Sequence, residues 1–253
     1  MGRLQVIKSG IIIPDTHFPV HDKRAYELVM TACEDFKPSF MLNIGDLGNY
    51  AGISHWNKEN HEDRRENPLE RDLRGVYEHH EHQRRIVGDK GEIYSLDGNH
   101  EDWVKKFLRK EPQFNGFINL DRDAGYEKFH VKRIPTEKQP FKLGKLNFIH
   151  GWFTNKYHAN KTGERIHHNV IYGHTHDVQE VTPANIDQKH RFTCQSIGHL
   201  SDEKVMREQY LRHRPTNWML AFGVLNMDET GLFTFNIIKL PTYKFIFNGK
   251  VYK

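Results

Sequence analysis

Aspartate, asparagine and histidine recur in short clusters along this 253-residue chain: Asp15-Thr16-His17, Gly45-Asp46, Gly98-Asn99-His100-Glu101, His150-Gly151 and Gly173-His174-Thr175-His176. Carboxylate, amide and imidazole groups are ligands for divalent ions, and this mixture of oxygen and nitrogen donors suits Mn, Fe, Zn, Co or Ni. In an extended chain residues i and i+2 point to the same side. Asp15 with His17, and His174 with His176, can therefore each aim two side chains into one cavity. A carboxylate such as Asp46 has two oxygens and can bridge two ions about 3.5 to 4 Å apart, the spacing used for in-line phosphoryl displacement.

The elements that must position these clusters are short apolar runs. Residues 4 to 13 predict a strand that ends just before Asp15, and residues 40 to 44 predict one that ends at Asp46. Residues 92 to 96 lead to Asn99, 146 to 149 to His150, and 169 to 172 to His174. Ligand sites form beyond the ends of strands in open α/β sheets. A helix over 22 to 36, with Ala25, Leu28, Val29 and Ala32 on one face and Pro38 after it, makes the first pair of strands a right-handed βαβ unit. Residues 54 to 74 are polar and charged, and a helix over 68 to 87 carries the supporting pairs Glu70 with Arg74 and Glu81 with Arg85. The stretch from about 54 to 90 reads as a charged insertion in one domain spanning 1–253, with His79, His80 and His82 on a solvated face. A helix over 101 to 109 buries Trp103, Val104, Phe107 and Leu108 and exposes Lys105, Lys106, Arg109 and Lys110. That basic edge suits either a polyanion or the helix dipole. Strands follow over 129–134, 141–149, 169–172, 178–182, 191–195, 219–226 and 232–239, the last two flanking a turn at Asp228-Glu229-Thr230-Gly231. A helix over 153 to 168 brings Tyr157, His158 and Lys161 towards the clusters.

The order D-x-H, G-D, G-N-H-E, H-G, G-H-x-H, from Asp15 to His176, resembles the calcineurin-like metallophosphoesterase family, and the tail of the chain resembles its small bacterial and phage-type members. The family comprises dinuclear metal phosphatases, phosphodiesterases and nucleases. The resemblance implies a four-layer α/β/β/α sandwich, two mixed sheets flanked by helices, where periodicity alone gives only an α/β chain with a mixed sheet. It implies one metal held by Asp15, His17, Asp46 and His176, and a second held by Asp46, Asn99, His150 and His174. Mn is the expected ion, with Fe, Zn, Co or Ni as alternatives. His100 would protonate the leaving oxygen or stabilise charge on the phosphate, with metal-activated water as nucleophile. Glu101 would orient His100 or meet the dipole of its helix. The protein-phosphatase branch carries G-D-x-x-D-R-G, but here the run is Gly45-Asp46-Leu47-Gly48-Asn49-Tyr50, without that aspartate and arginine. A site that relies on metals and on neutral donors such as Asn49 or Tyr50 leans towards singly charged diesters. The function this implies is hydrolysis of phosphodiesters in nucleic acids or nucleotides. The alternatives are a broad phosphomonoesterase, a cyclic-nucleotide phosphodiesterase and a non-catalytic protein-binding scaffold. Ser196-Ile197-Gly198-His199-Leu200 would be a late loop near a sheet edge.

Composition sets the outer bounds. A net charge of +4 and a pI of about 8.9 permit an anionic substrate without the dense basicity of a nucleic-acid coat. Two cysteines, Cys33 and Cys194, make neither a disulfide framework nor a thiolate zinc site, which suits a reducing, cytoplasmic setting. No run approaches the 18 or so apolar residues of a membrane span, so no membrane partner is expected. Oligomeric state is not legible.

Overall fold

The computed structural model describes residues 8–55, 65–184, 191–211 and 214–253. Residues 4–7 of the first expected strand, and 56–64 of the charged stretch, lie outside these. The first sheet has six strands in the order β11-β10-β1-β2-β3-β4, comprising β1 (Lys8–Ile13), β2 (Phe40–Asn43), β3 (Glu92–Leu96), β4 (Val131–Ile134), β10 (Ala221–Met227) and β11 (Phe233–Lys239). Strands β1 to β4 run parallel, and β10 closes antiparallel on β1. The second sheet has the order β5-β6-β7-β9-β8, from β5 (Phe141–Leu143), β6 (Leu146–Ile149), β7 (Val170–Tyr172), β8 (Val178–Val181) and β9 (Cys194–Ile197). Here β6, β7 and β9 are parallel, while β5 and β8 are antiparallel to their neighbours.

Side-chain alternation along each strand decides the layers. Ile12, Phe40, Leu42, Tyr94 and Leu96 of the first sheet meet Leu146, Phe148, Ile171 and Ile197 of the second in one apolar core. The intervening Ile11, Ile13 and Met41 point the other way, onto Ala25, Val29 and Cys33 of α1 (Lys23–Phe36). Val170, Tyr172 and Cys194 turn from the shared core onto a separate cluster with Ala159, which belongs to α5 (His158–Ile166). Strands covered on both faces read as unbroken apolar runs, which is why Ile11-Ile12-Ile13 shows no polar alternation. Both sheets are mixed and both carry helices outside, the architecture expected from the motif order. Helix α1 starts where the Asp22 carboxylate accepts the Ala25 N–H at 2.9 Å, and ends at Lys37 in the left-handed region.

Several expected elements take a different form. Helix α2 (Leu69–Val87) is a crossover between β2 and β3, and Val76 packs into a cluster with Phe18, Ile93 and Val131. His79 and His80 are buried there, so the solvated-face reading is wrong for both. The His79 ring faces the Tyr26 hydroxyl and Asn43 Oδ1, while His80 Nδ1 donates to the Ala124 carbonyl. His82 meets Glu34 at 2.8 Å. The single expected strand over 141–149 breaks at Gly144, which lies in the left-handed region and makes a two-residue turn between β5 and β6. The turn after β10 runs from Asp228 to Leu232, because the Asp228 carboxylate gathers the N–H groups of Thr230 and Leu232 before pairing resumes. A final hairpin, β12 (Phe245–Phe247) with β13 (Lys250–Tyr252), turns through Asn248-Gly249 and places Phe245, Phe247 and Tyr252 against the α1 layer.

Candidate metal centre

Asp15 and His17 follow β1, Asp46 follows β2, and Asn99 and His100 open α3 (Asn99–Lys110) after β3. His150 follows β6, and His174 and His176 follow β7. All five strands belong to the parallel parts of their sheets, so their C-terminal ends deliver the side chains to one place between the sheets. His17, Asp46, His174 and His176 all have backbone φ between 48° and 70°. Left-handed backbone at non-glycine residues costs about 1 kcal/mol or more each, and its clustering here marks a site whose surroundings impose the conformation. Two glycines permit the close approach. A Cβ on Gly98 would sit 2.1 Å from Asp46 Oδ1, and one on Gly173 would sit 2.2 Å from Asp15 Oδ1.

The side chains converge in overlapping groups. Asp15, His17 and His176 form one, and Asp46, His150 and His174 another. His17, Asp46 and His100 are a third, so Asp46 is shared. The two imidazole Nε2 atoms of His17 and His176 lie 3.2 Å apart, and His176 Nε2 is 3.3 Å from Asp15 Oδ2. In the second group His150 donates Nδ1–H to the Ile44 carbonyl at 3.1 Å, which can only accept. Nε2 is therefore the atom whose lone pair takes up a proton or a metal ion. That lone pair faces Asp46 Oδ2 and Asn99 Oδ1, both at 3.1 Å and both acceptors. Buried acceptors aimed at one another need a cation between them. Asp15, His17, Asp46, His100, His150 and His176 are buried, and Asn99 and His174 half-buried.

Protonation behaves accordingly. Burial disfavours the charged His150 ring, yet the Asp46 carboxylate outweighs it and pushes the imidazole up to about 10. A proton there stands where a metal ion would. Burial, helped by charge on His150, brings His174 down to about 4, and burial holds His17 well below the usual range. A neutral imidazole is the form that binds metal. Asp15 Oδ1 is buried without a hydrogen-bond partner, another oxygen left for an ion. The donor set thus fits one or more divalent transition ions.

Residues outside the motif ligands shape the centre. Glu101 is fully buried, and its carboxylate accepts the backbone N–H groups of Gly98 (2.8 Å), Asp46 (3.0 Å), Leu47 (2.9 Å) and Gly48 (3.2 Å). It anchors the loop that carries Asp46; it makes neither the His100 contact nor merely a dipole contact. Burial, with the charges of Asp46 and Asp97, raises its carboxyl to about 7. His100 donates Nδ1–H to the Asn49 carbonyl and lies against the Trp103 ring, centroids 3.8 Å apart, leaving Nε2 3.9 Å from Asp46 Oδ2. Asn49 and Tyr50 are both buried. Tyr50 packs with Trp103 and Leu120, so neither side chain is a neutral donor in the cleft. The expected late loop Ser196-Ile197-Gly198-His199-Leu200 is loop only from Gly198, since Ser196 and Ile197 belong to β9 between β7 and β8; His199 beyond it stacks on His176 at 5.0 Å.

A cleft of about 660 Å³ opens on this centre, lined by Asn155, Lys156, His158, Gln179, Tyr210 and Trp218 beside the candidate ligands. The expected helix over 153–168 is shorter, so residues 154–156 are loop at the cleft wall. His158 reaches the cleft, whereas Tyr157 and Lys161 do not line it. The basic edge of α3 does not line it either. Lys105 pairs with Glu137 at 2.9 Å and Lys106 with Asp102 at 2.7 Å. Among the described residues no helix is long and apolar enough to cross a membrane.

No protein-family model matches the sequence. The Gene 54 proteins of Mycobacterium phages D29 and L5 are each 24% identical to the chain, over 250 and 251 residues, covering 87% of it and 89% of each relative. Among solved structures, Vps29 from Cryptosporidium parvum aligns at 12% identity and TM-score 0.47, covering 96% of this chain and 94% of that one. Vps29 from Entamoeba histolytica complexed with zinc aligns at 12% identity and TM-score 0.46, covering 96% and 95%. The nuclease MPE of Pseudomonas putida aligns at 11% identity and TM-score 0.33, covering 76% and 73%. These likenesses are remote.

Proposed function

We propose that the chain is a calcineurin-like metallophosphoesterase that hydrolyses phosphodiesters of nucleic acids or nucleotides with two divalent ions, Mn foremost. The observation that carries this reading is the convergence of donor atoms around Asp46: Nε2 of His150 and the side-chain oxygens of Asn99 and Asp46 meet at one spot, and the ring nitrogens of His17 and His176 meet an Asp15 oxygen at another. Asp15, His17, Asp46 and His176 would hold one ion, and Asp46, Asn99, His150 and His174 the other. When bound, such ions polarise a phosphoryl oxygen and lower the pKa of water.

The chain's own residues supply the rest. Asn49 holds Nδ1–H of His100 through its carbonyl and turns Nε2 to the cleft, so that, when the ring is protonated, Nε2–H is the group that hands a proton to the leaving oxygen. Glu101 keeps Asp46 in place through the loop amides. Lys156 is the one lysine or arginine among the described residues lining the cleft, and no arginine stands there to meet the second charge of a monoester. A diester, with one charge, is the better match for that wall.

The reading is tested by hydrolysis of bis-p-nitrophenyl phosphate against p-nitrophenyl phosphate in Mn²⁺, with Asn99→Ala and His100→Ala beside the wild type. The diester should react faster and both variants should lose most of the rate. A faster monoester would overturn the diester preference, and no reaction with either ester, together with no bound metal after reconstitution, would sink the enzyme reading in favour of a scaffold.

A further inference from the structure

The cleft wall beside His176 is organised by Asp177, a buried carboxylate one residue past that ligand. A carboxylate accepts and does not donate, so every group bonded to it must turn a hydrogen inward. Asp177 Oδ2 receives His158 Nε2–H at 3.0 Å, the Gln179 amide at 2.8 Å and the Asn217 amide at 3.0 Å. Asp177 Oδ1 receives the hydroxyls of Thr175 at 2.7 Å and Ser196 at 3.1 Å.

The consequence is felt on the other side of these groups. The second Gln179 amide hydrogen goes to the Lys156 carbonyl at 3.3 Å, so only Oε1 is left to that side chain. Asn217 spends one amide hydrogen on Asp177 and keeps Oδ1 and its second N–H, and Thr175 keeps oxygen lone pairs. All three residues line the cleft. The hydroxyl hydrogen of Tyr210, which also lines the cleft, is likewise committed to Asn49 Oδ1 at 3.2 Å. Aromatic surface adjoins this wall: Trp218 sits edge-on to His176 at 4.5 Å, and Tyr210 lies 5.9 Å from His100.

A wall in which acceptors outnumber donors disfavours phosphate oxygens and attracts N–H and O–H donors, and an aromatic flank accepts a flat ring. We propose that this wall, formed by Gln179, Asn217 and Thr175 under the control of Asp177 and flanked by Trp218, is the subsite for the uncharged, donor-bearing part of the substrate. A nucleobase amine or a sugar hydroxyl has that chemistry, and a second phosphate does not. The cleft, at about 660 Å³, lies in the range that encloses a molecule of nucleotide size. The inference rests on the phosphodiesterase reading for its chemistry, and on the orientation of the Asp177 cluster for its selectivity.

The test is calorimetric titration of the metal-loaded protein with AMP, CMP, ribose 5-phosphate and inorganic phosphate, for the wild type, Gln179→Met and Asn217→Leu, with circular dichroism reporting the fold of each. Both nucleotides should bind at least ten-fold more tightly than inorganic phosphate, and each variant should cut that ratio several-fold. Ribose 5-phosphate retaining the whole gain assigns the donors to the sugar; a gain confined to AMP and CMP assigns them to the base; either supports the subsite. Inorganic phosphate binding as tightly as the nucleotides, or both folded variants keeping the full ratio, overturns it. Intact nucleotide preference in a protein that leaves bis-p-nitrophenyl phosphate untouched in Mn²⁺ would instead break the phosphodiesterase reading while the subsite stands.

Discussion

Glu101 offers a sharp test of how the centre is built, because one buried carboxylate accepts four backbone N–H groups, from Gly98, Asp46, Leu47 and Gly48. In Glu101→Gln the side chain keeps its shape but has one oxygen and one NH₂. One oxygen of the carboxylate serves Gly98 and Asp46, and the other serves Leu47 and Gly48, so whichever way the amide turns, two donors face an NH₂. Leaving a buried donor unpaired costs about 1 to 3 kcal/mol, which puts the variant about 2 to 6 kcal/mol below wild type. Against a total stability of roughly 5 to 15 kcal/mol for a folded protein, that is a large fraction. Urea unfolding followed by tryptophan fluorescence, with and without Mn²⁺, measures it. The loss should be accompanied by weaker metal binding, since either pair of released donors includes an amide of the loop that carries Asp46. A change smaller than about 0.5 kcal/mol, the size of an ordinary surface substitution, would refute the anchoring role.

Other outcomes follow from the same geometry. Asp46→Asn removes the carboxylate shared between donor groups, so reconstituted protein should retain one equivalent of Mn or less by elemental analysis, and diesterase activity should fall more than about 100-fold. Gly98→Ala places a Cβ 2.1 Å from Asp46 Oδ1 and 2.4 Å from its backbone nitrogen, so it should cost about 1 to 3 kcal/mol in urea unfolding and weaken metal binding as well. Burial holds the His80 imidazole down to about 4, below its ordinary 6.5. The neutral ring thus contributes stability that is fully present above pH 6.5 and is lost as pH falls towards 4, up to about 3 kcal/mol. His80→Gln should flatten that part of the pH–stability curve, and an unchanged curve would count against a buried neutral ring. Leu42→Ala, in the core between the sheets, should cost about 2 to 5 kcal/mol in chemical unfolding.

The sequence by itself determined where the strands end and which residues stand there. Apolar runs such as Ile11-Ile12-Ile13 are continuous because their strands are covered on both faces, and metal-capable residues follow five of them, so local pattern was enough to nominate Asp15, His17, Asp46, Asn99, His150, His174 and His176. The helices expected over 22–36 and 68–87 were legible for the same reason, as apolar spacing in the first and charged i,i+4 pairs in the second are local signals. The closing hairpin had its signal in Asn248-Gly249, a dipeptide suited to a two-residue turn, but strands of three residues are too short to show alternation.

Only the tertiary structure decided what depends on partners distant in the chain. His79 and His80 sit among charged neighbours in sequence, yet the packing of α2 on the sheet buries them against Asn43 and Ala124. Glu101 reads as a first-turn glutamate until the loop after β2 folds onto it, across more than fifty residues. Asp177 reads as one more acidic residue until β8, β9, α5 and the segment at Asn217 bring donors to it. The periodicity of a strand or helix is written in neighbouring residues; the direction in which a buried carboxylate turns its partners is set by which chains meet there, and that is fixed only when both sheets have closed.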